Sequence, residues 1–197
     1  MNKTIRKPLV RINDRFGKTF GFKLKRVPYS RPSTLKALEI FNDKPIRVIE
    51  IGCAAGNNTL DVLKQLNVSE YIIIDPYEKI DNSYDDYSIA RLALMRKQSR
   101  KKLRNYEDKI TWIYDTSSKA IERINGSADY IYVDGDHRYS QVLSDMDNYY
   151  NLLADRFVFG GHDIDQPDVA KAFVDFIANK AITNYEIKDS DWIVYHR

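Results

Sequence analysis

The sequence predicts an α/β protein: one domain on a doubly wound, mostly parallel seven-stranded sheet with an antiparallel C-terminal hairpin strand. Three observations lead there. Short, nearly continuous apolar runs alternate with amphipathic helical stretches between residues 46 and 179, the pattern of a parallel sheet covered on both faces. Two further β-like runs, "NYEIKD" and "DWIVYHR", lie close enough at the end to pair as a hairpin. Glycines and acids follow the apolar runs, at the carboxyl ends of the strands, where such sheets bind ligands.

The elements follow in order. Residues 1–31 hold ten Lys/Arg and one acid, a balance of +9, which leaves −6 for the rest. "LVRI" and "TFGFKLK" alternate around "NDRFGK", so 1–31 reads as a basic arm or hairpin and 32–197 as the domain proper. "RPSTLKALEIF" starts a helix, with Ser33 or Thr34 as N-cap and Leu35, Leu38 and Phe41 on one face. "IRVIEIG" is a strand, "NNTLDVLKQL" a helix, "EYIIID" a strand and "DYSIARLALMRKQSRKKL" a long helix. "ITWIYD" and "ADYIYVD" are strands separated by the short helix "SSKAIERI". "YSQVLSDMDNYYNLL" is a helix, "RFVFGG" a strand and "PDVAKAFVDFIANK" the last helix.

A chain of 197 residues with 43% hydrophobic residues suits one domain with a sizeable core. A single cysteine, Cys53, excludes an internal disulfide and a Cys-cluster zinc site. No apolar run approaches the length of a membrane span, and the N-terminus lacks the apolar core of a signal peptide. The expected setting is therefore reducing, intracellular and cytoplasmic. A second basic block, "RLALMRKQSRKKLRNY", has seven Lys/Arg and no acid. It reads as a solvated helix face or as a surface that attracts phosphates or an acidic partner.

Chemistry is expected where the strands end. The first ends in "EIGCAAGNNTL": Gly52 and Gly56 flank a tight turn, Ala54 and Ala55 are small, and a helix N-terminus offers free N–H groups. The spacing is not GxGxxG, which counts against a pyrophosphate-binding dinucleotide site. The second ends at Asp75, followed by Pro76 and Tyr77, 19 residues after Gly56. An acid there can accept both hydroxyls of a ribose, so turn and acid together imply a nucleoside cofactor. The third ends in "YDTSS": Asp115, Thr116 and Ser117 either hydrogen-bond an adenine edge or cap the next helix. The fourth ends in Asp134-Gly-Asp136-His137 and the fifth in His162, Asp163 and Asp165. On neighbouring strands these two clusters would meet at the sheet edge. Their carboxylates suit Mg²⁺ or Ca²⁺, and an imidazole widens the choice to Mn²⁺, Fe²⁺ or Zn²⁺.

"VIEIGCAAGNNTL" resembles the first motif of class I S-adenosylmethionine-dependent methyltransferases, and "IIIDPY" their ribose-binding motif. "DYIYVDGDHRYSQVLSDMDNYYNLL" with "GGHD" is similar to the small-molecule O-methyltransferase branch of macrocin-type sugar enzymes and cephalosporin-hydroxylase-like proteins. The resemblance covers residues 46–165, and the end hairpin fits the family's sixth and seventh strands. It implies that Glu50, Gly52, Ala54 and Gly56 meet the methionine part of S-adenosylmethionine, Asp75 the ribose, and Tyr77 and Asp115 the adenine region, with Pro76 and Thr116 as further cofactor-binding candidates. It also implies a divalent metal, Mg²⁺ or another, on Asp134, His162 and Asp163. A lysine serves as base three residues after the metal Asp in the related catechol and caffeoyl-CoA enzymes. Here that position is His137, with Asp134 beside it as the second catalytic candidate. The chain departs from the family in having His162 where an Asp is usual, and "ADRF" where a Pro-Gly-Gly turn precedes the fifth strand.

The expected reaction is methyl transfer from S-adenosylmethionine to a hydroxyl of a small molecule or sugar. "PYEKIDNSYDDYS" would be a lid over that acceptor or an ordinary surface loop. One rival is an RNA methyltransferase that uses the basic arm and block, although the N/D-P-P-Y/F signature of amino-methylating enzymes is missing. Others are a nucleotide-binding oxidoreductase or epimerase, and a cofactor-binding protein without catalysis. The arm could also pack on a second copy of the chain in a homo-oligomer.

Overall fold

The computed structural model describes residues 30–79 and 87–197. The expected hairpin in the arm and the middle of the expected lid lie outside the described residues. The chain forms α1 (Pro32–Phe41), β1 (Ile46–Ile51), α2 (Asn57–Gln65), β2 (Val68–Ile74), α3 (Ile89–Leu103) and β3 (Ile110–Ile113). There follow α4 (Ser117–Ala120), β4 (Ala128–Val133), α5 (Tyr139–Tyr150), β5 (Leu153–Gly161), α6 (Pro167–Asn179), β6 (Tyr185–Lys188) and β7 (Asp191–His196).

The seven strands run in the order β3-β2-β1-β4-β5-β7-β6. Strands β1 to β5 pair in parallel, and β7 pairs antiparallel with both β5 and β6. This is the predicted doubly wound sheet with its terminal hairpin. The chain winds outward from β1 through β2 to β3, then returns to lay β4 on the other side of β1. That reversal opens a crevice between β1 and β4, where ligands of such sheets bind.

Period-two alternation divides the strand residues between two cores. Ile49 and Ile51 of β1, Ile131 and Val133 of β4 and Phe159 of β5 pack against Val142, Met146 and Tyr149 of α5 and Phe173 and Phe176 of α6. Val48, Tyr71, Ile73, Tyr130 and Val158 face the opposite way, onto Ala37, Ile40 and Phe41 of α1 and Val62 and Leu63 of α2. Each fully buried aliphatic or aromatic side chain of this kind contributes about 1.5–3 kcal/mol.

Helix α1 differs from the expectation. Arg31 holds the N-cap position and Pro32 the first turn, a place where proline's missing N–H costs nothing. The buried side is Ser33, Thr34, Ala37, Ile40 and Phe41, while Leu35 is exposed. The reason is a distant acid. Asp191 of β7 is buried and accepts hydrogen bonds from the backbone N–H (3.2 Å) and the hydroxyl (2.7 Å) of Ser33. Ser33 is committed to the sheet and turns the helix with it. Gly160 lets the helix close in, because a Cβ there would stand 2.7 Å from the Ser33 Cβ.

Helix α3 is attached differently. Only Ser99 and Leu103 of its fifteen residues are buried. Met95 packs on the second core, Lys102 reaches the Ala55 carbonyl, and arginines lie over rings: Arg96 over Tyr114 (3.9 Å), Arg100 over Trp112 (5.1 Å) and Arg91 over the preceding Tyr87 (4.2 Å). Each contributes about 0.5–1 kcal/mol when exposed. Among the described residues no helix is long and apolar enough to cross a membrane.

Candidate active site

A cavity of about 540 Å³ occupies the crevice, well within the range of small-molecule sites. The segments after all five parallel strands line it: Gly52–Ala55, Asp75–Lys79, Thr116 and Ser117, Asp134–Arg138, and His162 with Asp163.

The turn after β1 folds through three left-handed residues, Gly52 (φ 84°), Ala54 (φ 47°) and Gly56 (φ 71°). Gly52 must be glycine, since a Cβ there would lie 2.0 Å from the Asp134 carbonyl oxygen. Asp75 braces the turn. Its Oδ2 accepts from the N–H groups of Cys53 (3.0 Å) and Ala54 (2.9 Å), and its Oδ1 from that of Tyr77 (2.9 Å). Burial pushes the Asp75 carboxyl up, and these three bonds oppose the shift. The Tyr77 hydroxyl lies 2.9 Å from both the Ala54 carbonyl and the Ser99 hydroxyl. The Lys102 ammonium donates to the Ala55 carbonyl and to Asn57 Oδ1.

Glu50 does not line the cavity. It lies beneath the turn, buried, and accepts from Asn58 Nδ2 (2.8 Å), the Tyr71 hydroxyl (3.0 Å) and the Thr59 hydroxyl. Its partner Asn58 does line the cavity, and the buried Asn58 Oδ1 has no hydrogen-bond partner among the described residues. Asp115 is likewise not a lining residue. It pairs with Arg123 and accepts from the Thr116 N–H (2.9 Å). Thr116 lines the cavity and holds the N-cap position of α4 without a side-chain bond to it. Pro76 and Tyr77 also line the cavity.

The two acidic–imidazole clusters do meet. Asp134, His162 and Asp163 each offer a ligand atom within 4.8 Å of the others. Asp163, turned back by a left-handed backbone (φ 58°), is held between two imidazoles: His162 Nδ1 is 2.9 Å from its Oδ1 and His137 Nε2 is 2.8 Å from its Oδ2. Burial raises its carboxyl, but the bonds from His137 and His162 outweigh that and hold it well below the usual range. Asp134 lies 3.8 Å from His162 Nδ1 and 3.7 Å from the Arg31 guanidinium. Burial pushes its carboxyl up to about 7, against the pull of His162 and Arg31. Asp136 accepts from the backbone and guanidinium of Arg138 at the start of α5.

Sequence reasoning missed Arg31, Gln141 and Asp145 as lining residues. A signal for Asp145 existed. The buried stripe of α5 is Val142, Asp145, Met146 and Tyr149, so an acid occupies a place in the apolar face where solvation is lost.

The donor chemistry fits a nucleoside sulfonium cofactor: a glycine turn for close approach, an acid after β2, and an unsatisfied buried carbonyl at Asn58. A family model described as "Methyltransferase domain" matches residues 49–164. No curated protein matches the chain. Among solved structures, an O-methyltransferase from Bacillus cereus in complex with SAH is similar at 10% identity and a TM-score of 0.61, covering 100% of this chain and 92% of that one. The O-methyltransferase NovP is similar at 12% identity and a TM-score of 0.61, covering 83% of this chain and 78% of its own. A putative rRNA-methylase from Clostridium thermocellum gives 12% identity and a TM-score of 0.59, covering 82% and 94%. The matched region spans more than half of the chain, so the protein belongs to the methyltransferase-domain family and is an S-adenosylmethionine-dependent methyltransferase.

Proposed function

We propose that the protein methylates a hydroxyl oxygen of a small molecule or sugar, with a divalent cation assisting. The observation that carries this reading is the convergence of Asp134, His162 and Asp163 in the cofactor cavity, with His137 on Asp163. S-adenosylmethionine supplies an electrophilic methyl group on its sulfonium. A neutral hydroxyl attacks it poorly, so the site must hold that oxygen in line and take its proton. Two carboxylates suit Mg²⁺ and the imidazole widens the choice to Mn²⁺, Fe²⁺ or Zn²⁺; such an ion would act as a Lewis acid that lowers the pKa of a hydroxyl.

His137 is the proposed base. Nε2 lies 2.8 Å from Asp163, so with the proton on Nε2 the basic nitrogen of the neutral ring would be Nδ1. Asp163 orients that ring and stabilises the imidazolium formed when the proton arrives, the logic of a base set by a carboxylate. Asp134 completes the ligand set, and Arg31 balances its charge.

The test separates binding from chemistry. His137→Ala should leave S-adenosylhomocysteine affinity within a few-fold of normal and lower turnover by about 10²–10⁴, the usual worth of a general base. Unchanged turnover removes His137 from the reaction. Activity in EDTA equal to that in Mg²⁺ removes the cation.

A second reading, methylation of RNA, draws on the exposed basic face of α3 with Lys97 and Lys101, continued by Arg104 just beyond it. It requires RNA affinity that falls steeply with salt.

A further inference from the structure

The sheet ends in an open edge far from the cavity. Strand β6 pairs with β7 on one side, and among the described residues no strand lies on the other. Such an edge is a template for another strand, and proteins usually guard it with charges. Here the edge is also apolar: Ile187 is 56% exposed, Tyr185 43% and Val174 of α6 58%. Tyr185 meets the ring of Phe173 at 5.7 Å, so Tyr185 and Ile187 lie on the α6 face of the sheet. Asp168 and Asp175 of α6 turn to Tyr139 of α5, and Val174 stands on the other flank of the helix. Glu186 and Lys188 lie on the opposite face of the sheet, where Glu186 meets Lys36 of α1 (2.8 Å).

The hairpin fixes which backbone groups the edge offers. Asp189 and Ser190 form a two-residue turn, so Lys188 and Asp191 flank it as a hydrogen-bonded pair. By alternation Glu186 also bonds to β7, and the N–H and C=O groups of Tyr185 and Ile187 point out of the edge. A second β6, laid antiparallel, can meet them in few ways. With Ile187 opposite Ile187, outward groups face outward groups, and each Glu186 stands opposite a Lys188. A slip of one residue turns outward groups against inward ones. A slip of two sets Glu186 against Glu186, or Lys188 against Lys188, and like charges directly opposite are destabilising. The two charges that guard the edge against other strands thus become pairs in one register with a copy of themselves.

We propose that β6 pairs with β6 of a second copy about a two-fold axis at Ile187, joining the two sheets into one continuous sheet. A two-fold interface uses the same patch on both subunits, and this strand is complementary to itself. The paired Ile187 side chains cover one another on the α6 face, flanked by Val174 and Tyr185 of both copies. On the α1 face two Glu186–Lys188 pairs close the seam.

The test is sedimentation equilibrium of the full chain, in which the wild type should dimerise reversibly as its concentration rises over about 1–100 μM. Lys188→Glu and Glu186→Lys, each alone, put like charges opposite one another twice, and should each raise the dimer Kd about tenfold or more. An equimolar mixture of these two variants has opposite charges at both places again, and should dimerise as tightly as the wild type. Ile187→Lys, at an exposed position, should leave a monomer that melts within a few degrees of the wild type, and gives a second readout if either charge variant fails to fold. A wild type that stays monomeric at about 100 μM overturns the proposal. So does a dimer that ignores all three substitutions, since it then runs through another surface, the arm included. A mixture no tighter than its separate components overturns the register.

Discussion

Replacing Asp145 by Asn should make the cofactor-free protein more stable, and only above pH 4. The unfolded carboxyl titrates near 3.8, and burial raises the folded one to about 6. The folded pKa is the higher one, so the associated stability is fully present below pH 3.8 and is lost as pH rises through about 6. At about 1.4 kcal/mol per pKa unit, the rise costs the native state about 3 kcal/mol at neutral pH. Asparagine cannot ionise, has the shape of the protonated acid, and keeps an acceptor for Gln141, which donates to Asp145 Oδ1. Urea unfolding of both proteins at pH 4.0 and 7.5 measures the difference. The curves should nearly coincide at the lower pH and separate by about 3 kcal/mol at the higher, or about 6–12 °C in melting temperature for a domain of this size. A variant as stable as the wild type, or less so, at pH 7.5 would refute the claim that the folded protein carries this charge at a cost.

Two further outcomes concern the turn after β1. Gly52→Ala sets a Cβ 2.0 Å from the Asp134 carbonyl oxygen at a left-handed position (φ 84°). Strain of about 1–2 kcal/mol and overpacking of about 1–3 kcal/mol should lower the unfolding free energy by about 3 kcal/mol and abolish S-adenosylhomocysteine binding by calorimetry. Glu50→Ala removes the shared acceptor of Asn58, Thr59 and Tyr71. Buried donors cost about 1–3 kcal/mol each when left unpaired, so a loss of about 3–5 kcal/mol in chemical denaturation is expected. Glu50→Gln should recover part of it.

The sheet was legible in the sequence because its strands are short apolar runs bounded by turn residues, and because parallel strands with intervening helices admit few topologies. The carboxyl ends were legible for the same reason, which is why Asp75 falls at the cavity and Asp134, His162 and Asp163 come together there. What escaped were residues whose roles depend on a distant partner. Ser33 has the look of an N-cap, yet it answers to Asp191 at the far end of the chain. Asp115 has the look of a ligand acid, but Arg123 claims it. Asp145 sits in mid-helix, with no turn or glycine to mark it. Only its place in the apolar stripe gave it away, and that stripe is defined by the packing of α5.

The way α3 is fastened bears on how the cofactor comes and goes. Leu92 and Met95 of this helix form part of the cavity wall, together with Tyr87 just before it. The helix is tied to the body from Met95 onward: by Met95 against the core, by Ser99 and Leu103, by Lys102 on the turn after β1, and by Arg96 and Arg100 resting on rings. Loosening Ile89–Leu94, ahead of Met95, therefore removes no side chain from either core, and costs a few weak surface contacts rather than a share of the global unfolding free energy. Strands β1, β4 and β5 hold Asp134, His137, His162 and Asp163 in place while the adjoining wall is bound by much smaller energies, so passage of a ligand as large as S-adenosylmethionine need not disturb them.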